Sequence, residues 1–200
     1  MRVLVAPDKF AGTLTAVEAA EAIADGWRRH APDDEIVLAP MSDGGPGFVD
    51  VLHASLGGEL LAVVSTAPQG HEVPATILVV GDTAYVESAQ ACGVHLTGGR
   101  LGEFGTTLGV GQLVLEAVNA GARRVVIGLG GSGTIDGGAG LLAALGADAD
   151  VSLDCGGVFL EGVSRVDLSG LPVARAAFCD LLDQESIGGT VPCTLSASPP

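Results

Sequence analysis

A glycine-rich segment with the sequence VVIGLGGSGTIDGGAG, at residues 125–140, is the stretch of this chain best suited to bind an anion. Glycine is favoured where the backbone turns sharply or approaches another group closely. Ser and Thr among glycines at a helix start add hydroxyls to N–H groups and to the positive end of the helix dipole. A phosphate, a cofactor or a neighbouring strand could each account for the glycines. The candidates for phosphate or substrate binding are Gly130, Gly131, Ser132, Gly133, Thr134 and Gly137.

Three strand ends carry the charged side chains that phosphoryl transfer requires. Asp8-Lys9 follows the first predicted strand, and Asp43 opens a D-G-G sequence after the second. Asp136 opens another D-G-G sequence, inside the glycine-rich segment. A carboxylate beside an anion site repels phosphate unless it holds Mg²⁺ or accepts the proton of an attacking hydroxyl. The sequence therefore predicts Asp8, Lys9, Asp43 and Asp136 as catalytic residues, with Asp43 or Asp136 as the candidate ligand of Mg²⁺.

Two shorter polar signals complete the predicted site. Gly44 and Gly45 continue the first D-G-G sequence, and Glu87 and Ser88 end a Val-rich strand. We expect these four residues to bind phosphate or substrate. Each signal also has a structural explanation. An Asp in front of a helix is commonly an N-cap, a glycine commonly serves a turn, and Glu87-Ser88 would be polar if the strand reaches the surface there.

A different function is suggested by G-x-G-x-x-G at Gly128, Gly130 and Gly133, which is the spacing of dinucleotide-binding loops. The helix that follows is only about two turns long, and the next candidate strand is too polar to be the buried second strand of such a unit. The sequence contains no G-K-S or G-K-T, which excludes a Walker-type P-loop. We therefore favour phosphoryl transfer over a nicotinamide or flavin function.

The elements that must position these residues alternate between strand and helix. A capping box at Thr15 and Glu18 predicts the first helix, and Gly121 ends a later one. Residues 59–88 are strand-like with only turns between them, and Gly81-Asp82 predicts a hairpin. The pattern indicates an α/β fold with a mostly parallel sheet. Ligands of such sheets bind beyond the carboxyl ends of the strands, so we expect the four catalytic candidates around one crevice.

The composition excludes several classes of function. Nine Lys and Arg against 24 Asp and Glu give a formal net charge of −15, which argues against nucleic acid and against an anionic membrane surface as partners. No apolar run reaches about 18 residues, so no membrane span is expected. The four cysteines lack C-x-x-C spacing and indicate neither a zinc site nor a disulfide framework. We expect a cytoplasmic protein.

Three motifs, in sequence order, resemble those of the bacterial glycerate kinase family. The first begins APDKFAGTL and ends MSDGGPGFVD, the second is AYVESAQACGVHL, and the third is GLGGSGTIDGGAGLLAALGA. The resemblance implies transfer of the γ-phosphoryl group of ATP to a hydroxyl of glycerate, with Mg²⁺, to give 2- or 3-phosphoglycerate. It also implies a flavodoxin-like parallel-sheet domain and a second, mixed α/β domain of restriction-enzyme type, with the active site between them.

The resemblance divides the chain into four segments. We expect residues 1–58 in the flavodoxin-like part, residues 59–106 in the antiparallel or mixed sheet of the second domain, residues 107–173 in an α/β part with the glycine-rich loop, and residues 174–200 in a poorly ordered tail. Family chains are much longer, so both domains should be incomplete here. The alternative function is a truncated, catalytically inactive fragment that at most binds a small anion or a nucleotide. Such a fragment would expose an apolar sheet edge and could self-associate.

Four positions depart from the motifs of the family. Ala11 stands where a second Lys is usual, which leaves Lys9 as the only ammonium of its loop. Pro46 and Phe48 replace a carboxylate and a hydroxyl after the first D-G-G sequence, and Ile135 replaces an amide in the glycine-rich loop. The predicted site therefore has fewer polar groups than the family pattern.

Overall fold

The computed structural model describes residues 1–98, 102–171, 176–177 and 193–197, and these form a mixed α/β structure, as predicted. None of the helices in these ranges is long and apolar enough to cross a membrane. The helices are α1 (Ala16–His30), α2 (Phe48–Leu56), α3 (Ala89–Cys92), α4 (Leu108–Asn119) and α5 (Ala139–Ala144). The strands are β1 (Arg2–Val5), β2 (Glu35–Leu38), β3 (Glu59–Thr66), β4 (Glu72–Val80), β5 (Thr83–Glu87), β6 (Arg124–Gly128), β7 (Asp148–Ala149), β8 (Val166–Asp167), β9 (Ala176–Ala177) and β10 (Cys193–Ala197).

The strands belong to three separate sheets. β1 and β2 form a two-stranded parallel sheet, and β7 and β8 form a small antiparallel pair. Within the described part of the chain, the large sheet has the order β3-β4-β5-β6-β10-β9, in which only β5 and β6 run parallel. The prediction of one mostly parallel sheet that holds β1, β2 and β6 is therefore wrong. β6 instead extends the large sheet. The strands β3, β4 and β5 form an antiparallel meander, and β5, the last strand of the meander, pairs with β6 in parallel.

The prediction for residues 59–88 is confirmed. β3, β4 and β5 are antiparallel neighbours, and Gly81-Asp82 connects β4 to β5 as a tight hairpin. Gly81 has φ +62°, a conformation that favours glycine. The division into flavodoxin-like and restriction-enzyme-like parts stays a prediction. Of the predicted tail, residues 174–200, the structure describes only β9 and β10, and the rest lies outside the described residues.

The core lies between the large sheet and α4. Ile77 and Val86 of the sheet and Val110 and Leu113 of the helix are at most 2% exposed. The core follows the two periods of the sequence. Ala75 and Ile77 are alternate residues of β4, Ala84 and Val86 are alternate residues of β5, and Val110 and Leu113 lie three residues apart on one face of α4. Each buried aliphatic side chain contributes about 1.5–3 kcal/mol. This packed layer fixes the carboxyl ends of β5 and β6, where the glycine-rich loop begins.

The two-stranded sheet is covered on one face by α1. The start of α1 is fixed by the predicted capping box, in which Thr15 and Glu18 exchange hydrogen bonds. A stripe of alanines on α1 packs towards the sheet. On β1, Val5 is buried, whereas Leu4 is 66% exposed. Because neighbouring residues of a strand face opposite sides, the exposed Leu4 lies on the open face of the sheet, together with Val37 and the Arg2–Glu35 ion pair.

We expect this open face to make the chain self-associate. Leu4→Gln should weaken the association about tenfold or more, because burial of one Leu side chain is worth about 1.5–3 kcal/mol. Sedimentation velocity over a concentration series measures the change. Val64→Gln is the matched control, since Val64 is 65% exposed on the edge strand β3. A wild-type chain that stays monomeric, or equal effects of both substitutions, would contradict this contact surface.

Candidate active site

The structure joins the segments after β1 and β2 through an ion pair. The Nζ atom of Lys9 donates a hydrogen bond to Oδ1 of Asp43 over 2.9 Å and lies 3.7 Å from Oδ1 of Asp8. The same Asp8 oxygen accepts a hydrogen bond of 2.6 Å from the backbone N–H of Lys9, which holds the short loop in place. Three of the four predicted catalytic residues are therefore neighbours.

The charges of Lys9 and Asp43 stabilise each other. Partial burial alone would lower the pKa of Lys9, but its hydrogen bond to Asp43 and the attraction of Asp43 and Asp8 outweigh burial and raise that pKa. The hydrogen bond from Lys9 lowers the pKa of Asp43, against an opposing effect of burial, and the N–H of Gly45 lowers it further. At neutral pH, Lys9 is therefore a cation and Asp43 an anion.

Lys9 lines an open cavity of about 480 Å³, whereas its partner Asp43 is bound to Lys9 but is not among the lining residues. Asp8 and Lys9 line one side, and Pro46 and Gly47, at the start of α2, line another. His95 also lines the cavity, from the short 3-10 turn Val94–Leu96. Sequence reasoning assigned this residue no role, although it lies within the second motif, AYVESAQACGVHL, because a single His at that position carries no chemical signal of its own. A volume of this order is sufficient for a small ligand.

The glycine-rich loop after β6 packs directly on the loop that precedes α2. A Cβ atom on Gly130 would lie 2.5 Å from the backbone N of Gly45, and one on Gly128 would lie 2.6 Å from the carbonyl oxygen of Gly44. Real Cβ atoms do not approach backbone atoms this closely, so both positions require glycine. The neighbouring backbone thus accounts for these two glycines without any ligand.

Asp136 does not line the cavity and instead organises the start of α5. Its side chain is 2% exposed and accepts four hydrogen bonds. Two come from the N–H and hydroxyl of Thr107, both at 2.8 Å, and two from the N–H groups of Gly138 and Gly140, both at 3.1 Å. These contacts match the structural explanation, helix capping. They also occupy N–H groups at the start of α5 that a phosphate would need, and the catalytic role of Asp136 stays a prediction.

The rest of the glycine-rich loop is bound to α3. The N–H of Gly133 donates to the carbonyl of Cys92 at 2.7 Å. The hydroxyls of Ser132 and Thr134 lie against the Cys92 thiol, whose pKa is raised by burial and lowered to a smaller extent by these hydroxyls. The loop is therefore held at several points before any ligand binds. Phosphate binding stays a prediction for Gly44, Gly45, Gly130, Gly131, Ser132, Gly133, Thr134 and Gly137.

Glu87 and Ser88, at the end of β5, contact the loop before α2 and the loop after β6, respectively. They are 6% and 1% exposed. Oε2 of Glu87 accepts a hydrogen bond from the N–H of Gly47 over 3.0 Å, and the Ser88 hydroxyl donates to the carbonyl of Gly128 over 2.7 Å. Their contacts are thus with backbone groups of the loops. The predicted binding of phosphate or substrate by Glu87 and Ser88 is not tested by these contacts and stays a prediction.

The candidate ligands of Mg²⁺ differ in how well they fit that ion. The described part of the chain has no group of three or more His, Cys, Asp or Glu that could hold a metal ion. Mg²⁺ at phosphate sites commonly uses one or two carboxylates together with substrate oxygens and water. Asp43 fits this role, because the hydrogen bonds from Lys9 and Gly45 both end on Oδ1 and its side chain is 57% exposed. Asp136 fits poorly, because both of its oxygens already accept internal hydrogen bonds.

Similarity to known proteins extends over most of the chain. The model of the glycerate kinase family matches residues 3–182. This chain belongs to the glycerate kinase family. It is 40% identical over 179 residues to the glycerate kinase of Bacillus subtilis and 38% identical over 179 residues to the glycerate 2-kinase of Escherichia coli K12. Each match covers 86% of this chain and 47% of the relative.

A solved structure and a mycobacterial protein extend the comparison. The crystal structure of a glycerate kinase 2 from Salmonella typhimurium LT2 matches with a TM-score of 0.72 at 36% identity, over 86% of this chain and 48% of that one. An uncharacterised protein of Mycobacterium bovis is 49% identical over 159 residues, which is 73% of this chain and 40% of the relative. The resemblance to glycerate kinases is confirmed, and the chain spans about half the length of these relatives.

The departures from the glycerate kinase motifs have definite places in the structure. Ala11 and Pro46 line the cavity, where they present apolar surface. Phe48 packs edge-on against Tyr85, with ring centroids 6.5 Å apart. Ile135 is 69% exposed. The substitutions at Ala11 and Pro46 thus change the cavity wall itself, whereas Phe48 adds a packing contact beside it.

We expect Gly130→Ala to destabilise the fold by about 1–3 kcal/mol, because its methyl group would force the two loops apart. The free energy of unfolding in urea measures the loss. Gly26→Ala is the control, since Gly26 lies inside α1 and no atom other than those of its chain neighbours and of the adjacent helix backbone lies within 4 Å of its Cβ position. That substitution should stabilise the helix by about 0.5–1 kcal/mol. If both variants were equally stable, the loops would not depend on close packing.

Asp136→Asn should also lower the free energy of unfolding, by about 1–3 kcal/mol, because an amide offers one acceptor oxygen in place of two. Thermal and urea unfolding measure the change. Asp33→Asn, at an exposed position, is the matched control and should have little effect. Unchanged stability of the Asp136 variant together with lost activity would favour the predicted catalytic role over the capping role.

Proposed function

We propose that this chain acts in the ATP-dependent phosphorylation of a hydroxyl group of glycerate, at the cavity beside Lys9. One observation carries this proposal: the Lys9–Asp43 ion pair lies at the edge of a cavity in a member of the glycerate kinase family. An ammonium group that keeps its charge can offset the negative charge of a phosphoryl group during transfer. The names of the Bacillus subtilis and Escherichia coli relatives support glycerate as the acceptor.

The three neighbouring residues Asp8, Lys9 and Asp43 have separate roles in this proposal. Lys9 binds phosphoryl oxygens of ATP. Asp43 orients Lys9 and either binds Mg²⁺ or accepts the proton of the attacking hydroxyl. The carboxylate of Asp8 holds Lys9 in place, because it accepts a hydrogen bond from the backbone N–H of Lys9 and lies near the Nζ atom of Lys9. During transfer, the glycerate oxygen forms a bond to the γ-phosphorus, the bond from that phosphorus to ADP breaks, and the hydroxyl proton leaves to a carboxylate or to water.

The charge balance of the cavity supports MgATP as the donor. Among the described residues that line the cavity, Lys9 is the only Lys or Arg, whereas Asp8, Glu18 and Asp50 are carboxylates. Such a lining repels phosphate unless a further cation accompanies it. Mg²⁺ would supply that positive charge, with Asp43 as its protein ligand. Because ATP is the donor, we place the activity in the cytoplasm.

The alternative function is a fragment that binds a small anion or a nucleotide without catalysis. The observation that favours it is the position of Asp136, a predicted catalytic residue whose carboxylate is buried, bonded to Thr107 and absent from the cavity lining. Two measurements separate the functions. Calorimetry with MgATP reports binding, and a coupled assay for ADP release with glycerate reports turnover. Binding without turnover would support the alternative, and phosphorus NMR of any product distinguishes 2- from 3-phosphoglycerate.

Lys9→Met should lower the rate of ADP release by about 10²-fold or more, because it removes a charge-stabilising donor from the transferring group. The coupled assay with glycerate and MgATP measures the rate. Arg28→Met is the matched control, since Arg28 is an exposed cation paired with Asp25 on α1, and its loss changes the net charge equally. This control should keep the wild-type rate. Equal rates for Lys9→Met and wild type would contradict the proposed site.

A further inference from the structure

Glu87 is a buried acidic residue to which the proposed reaction gives no chemical role. It ends β5, where it is paired in register with Gly128 of β6, and it is 6% exposed. Among the described residues, the buried charged side chains are Glu87 and Asp136. Burial of a carboxylate is costly unless hydrogen-bond donors surround it. The donors that surround Glu87 therefore indicate what it is for.

Those donors are backbone N–H groups at the start of α2. Oε2 of Glu87 accepts hydrogen bonds from the N–H of Gly47, at 3.0 Å, and of Val49, at 3.4 Å. The N-cap residue of α2 is Gly47, which has no side chain and so makes no capping bond of its own. The first N–H groups of a helix need acceptors from outside the helix, and a negative charge near them is stabilising. Glu87 supplies this cap from a different element of the fold.

The next residue holds the other glycine-rich loop. The Ser88 hydroxyl donates to the carbonyl of Gly128 over 2.7 Å, and the Ser88 N–H donates to the same oxygen over 3.1 Å. Two consecutive residues thus hold two different loops, one before α2 and one after β6. These are the loops whose glycines pack against each other. The end of β5 therefore holds the two loops in position relative to each other, through hydrogen bonds to both.

The segment held by Glu87 forms part of the cavity wall. Pro46, Gly47 and Asp50, at the start of α2, line the cavity. Asp43, which binds Lys9, lies only a few residues before them. A displacement of the start of α2 would therefore move both the wall of the cavity and the partner of its cation.

We propose that Glu87 is a positioning residue: its carboxylate caps α2 from across the fold and so holds the start of α2 and the Asp43 loop in the geometry of the cavity. This capping role is a property of the fold alone. Its consequence for catalysis rests on the proposed function. The role differs from the substrate binding that the sequence predicts for Glu87, since the side chain acts through the backbone of α2.

The capping role has a pH signature. Burial raises the pKa of Glu87 above its ordinary value of 4.5, the N–H groups of α2 partly oppose this, and the charge of Asp50 raises it further. The folded state then holds a proton more tightly than the unfolded state, so stability falls as pH rises from 4.5 through the folded pKa. Titratable groups on the surrounding elements are Asp50 and His53 on α2, Glu72 on β4, Tyr85 on β5, Cys92 on α3 and Arg124 on β6.

Amide NMR of the full chain tests the proposal directly. In the wild type, the backbone amide signals of Gly47 and Val49 should shift with pH around one midpoint above 4.5. In Glu87→Gln this titration should vanish, while both amides stay protected from hydrogen exchange, because the Gln side-chain oxygen can still accept their hydrogen bonds. In Glu87→Leu, exchange of both amides should accelerate at least about tenfold, since no acceptor remains. Glu72→Gln, at an exposed position of β4, is the matched control.

Two results would overturn the proposal. One is a wild-type titration of the Gly47 and Val49 amides that persists unchanged in Glu87→Gln, or is absent altogether. The other is wild-type protection of both amides in a folded Glu87→Leu variant. If Glu87→Leu does not fold, the comparison of wild type with Glu87→Gln still decides the question. A wild-type chain without ADP release would contradict the proposed function and leave these amide measurements unaffected.

Discussion

Close packing between two glycine-rich backbones is the constraint on which the rest of this structure depends. The sheet of β1 and β2 shares no strand with the large sheet. The two meet where Gly128 and Gly130 approach the backbone of Gly44 and Gly45 so closely that neither Gly128 nor Gly130 has room for a Cβ atom. The loop before α2 carries Asp43 and its ion pair with Lys9, and the loop after β6 continues from a strand of the core. The contact therefore fixes His95, which follows β5, relative to the cavity-lining residues after β1 and β2.

Local signals in the sequence were sufficient to predict several helices and strands and part of the candidate site. The capping box at Thr15 and the hairpin at Gly81-Asp82 depend on neighbouring residues, so short patterns predict them. The proximity of Lys9 to Asp43 could be predicted because strands that are joined by one helix commonly lie side by side and parallel, and both residues lie just beyond the carboxyl ends of β1 and β2. Family motifs then gave a specific function to that pair.

The distant parts of the site could not be predicted in this way. The D-G-G sequences at Asp43 and Asp136 look alike, yet their Asp side chains have different partners. Asp43 accepts a hydrogen bond from the ammonium group of Lys9, whereas Asp136 accepts hydrogen bonds from backbone N–H groups and from the hydroxyl of Thr107. The difference arises because β6 pairs with β5 rather than with β1 or β2, and strand pairing between remote segments leaves no mark in either segment. His95 reaches the cavity for the same reason, through a turn whose position depends on the whole fold.

The long-range cap of α2 also constrains the order in which the chain can fold. α2 has nine residues, and isolated helices shorter than about 12–15 residues are only marginally stable in water. Its capping carboxylate lies 40 residues beyond Gly47 in the chain, so α2 is secured only after β5 has joined the sheet. Contacts between remote residues form slowly, because the intervening chain must first lose its freedom. We therefore expect the meander to form before the cavity wall, which depends on the end of β5 for its position.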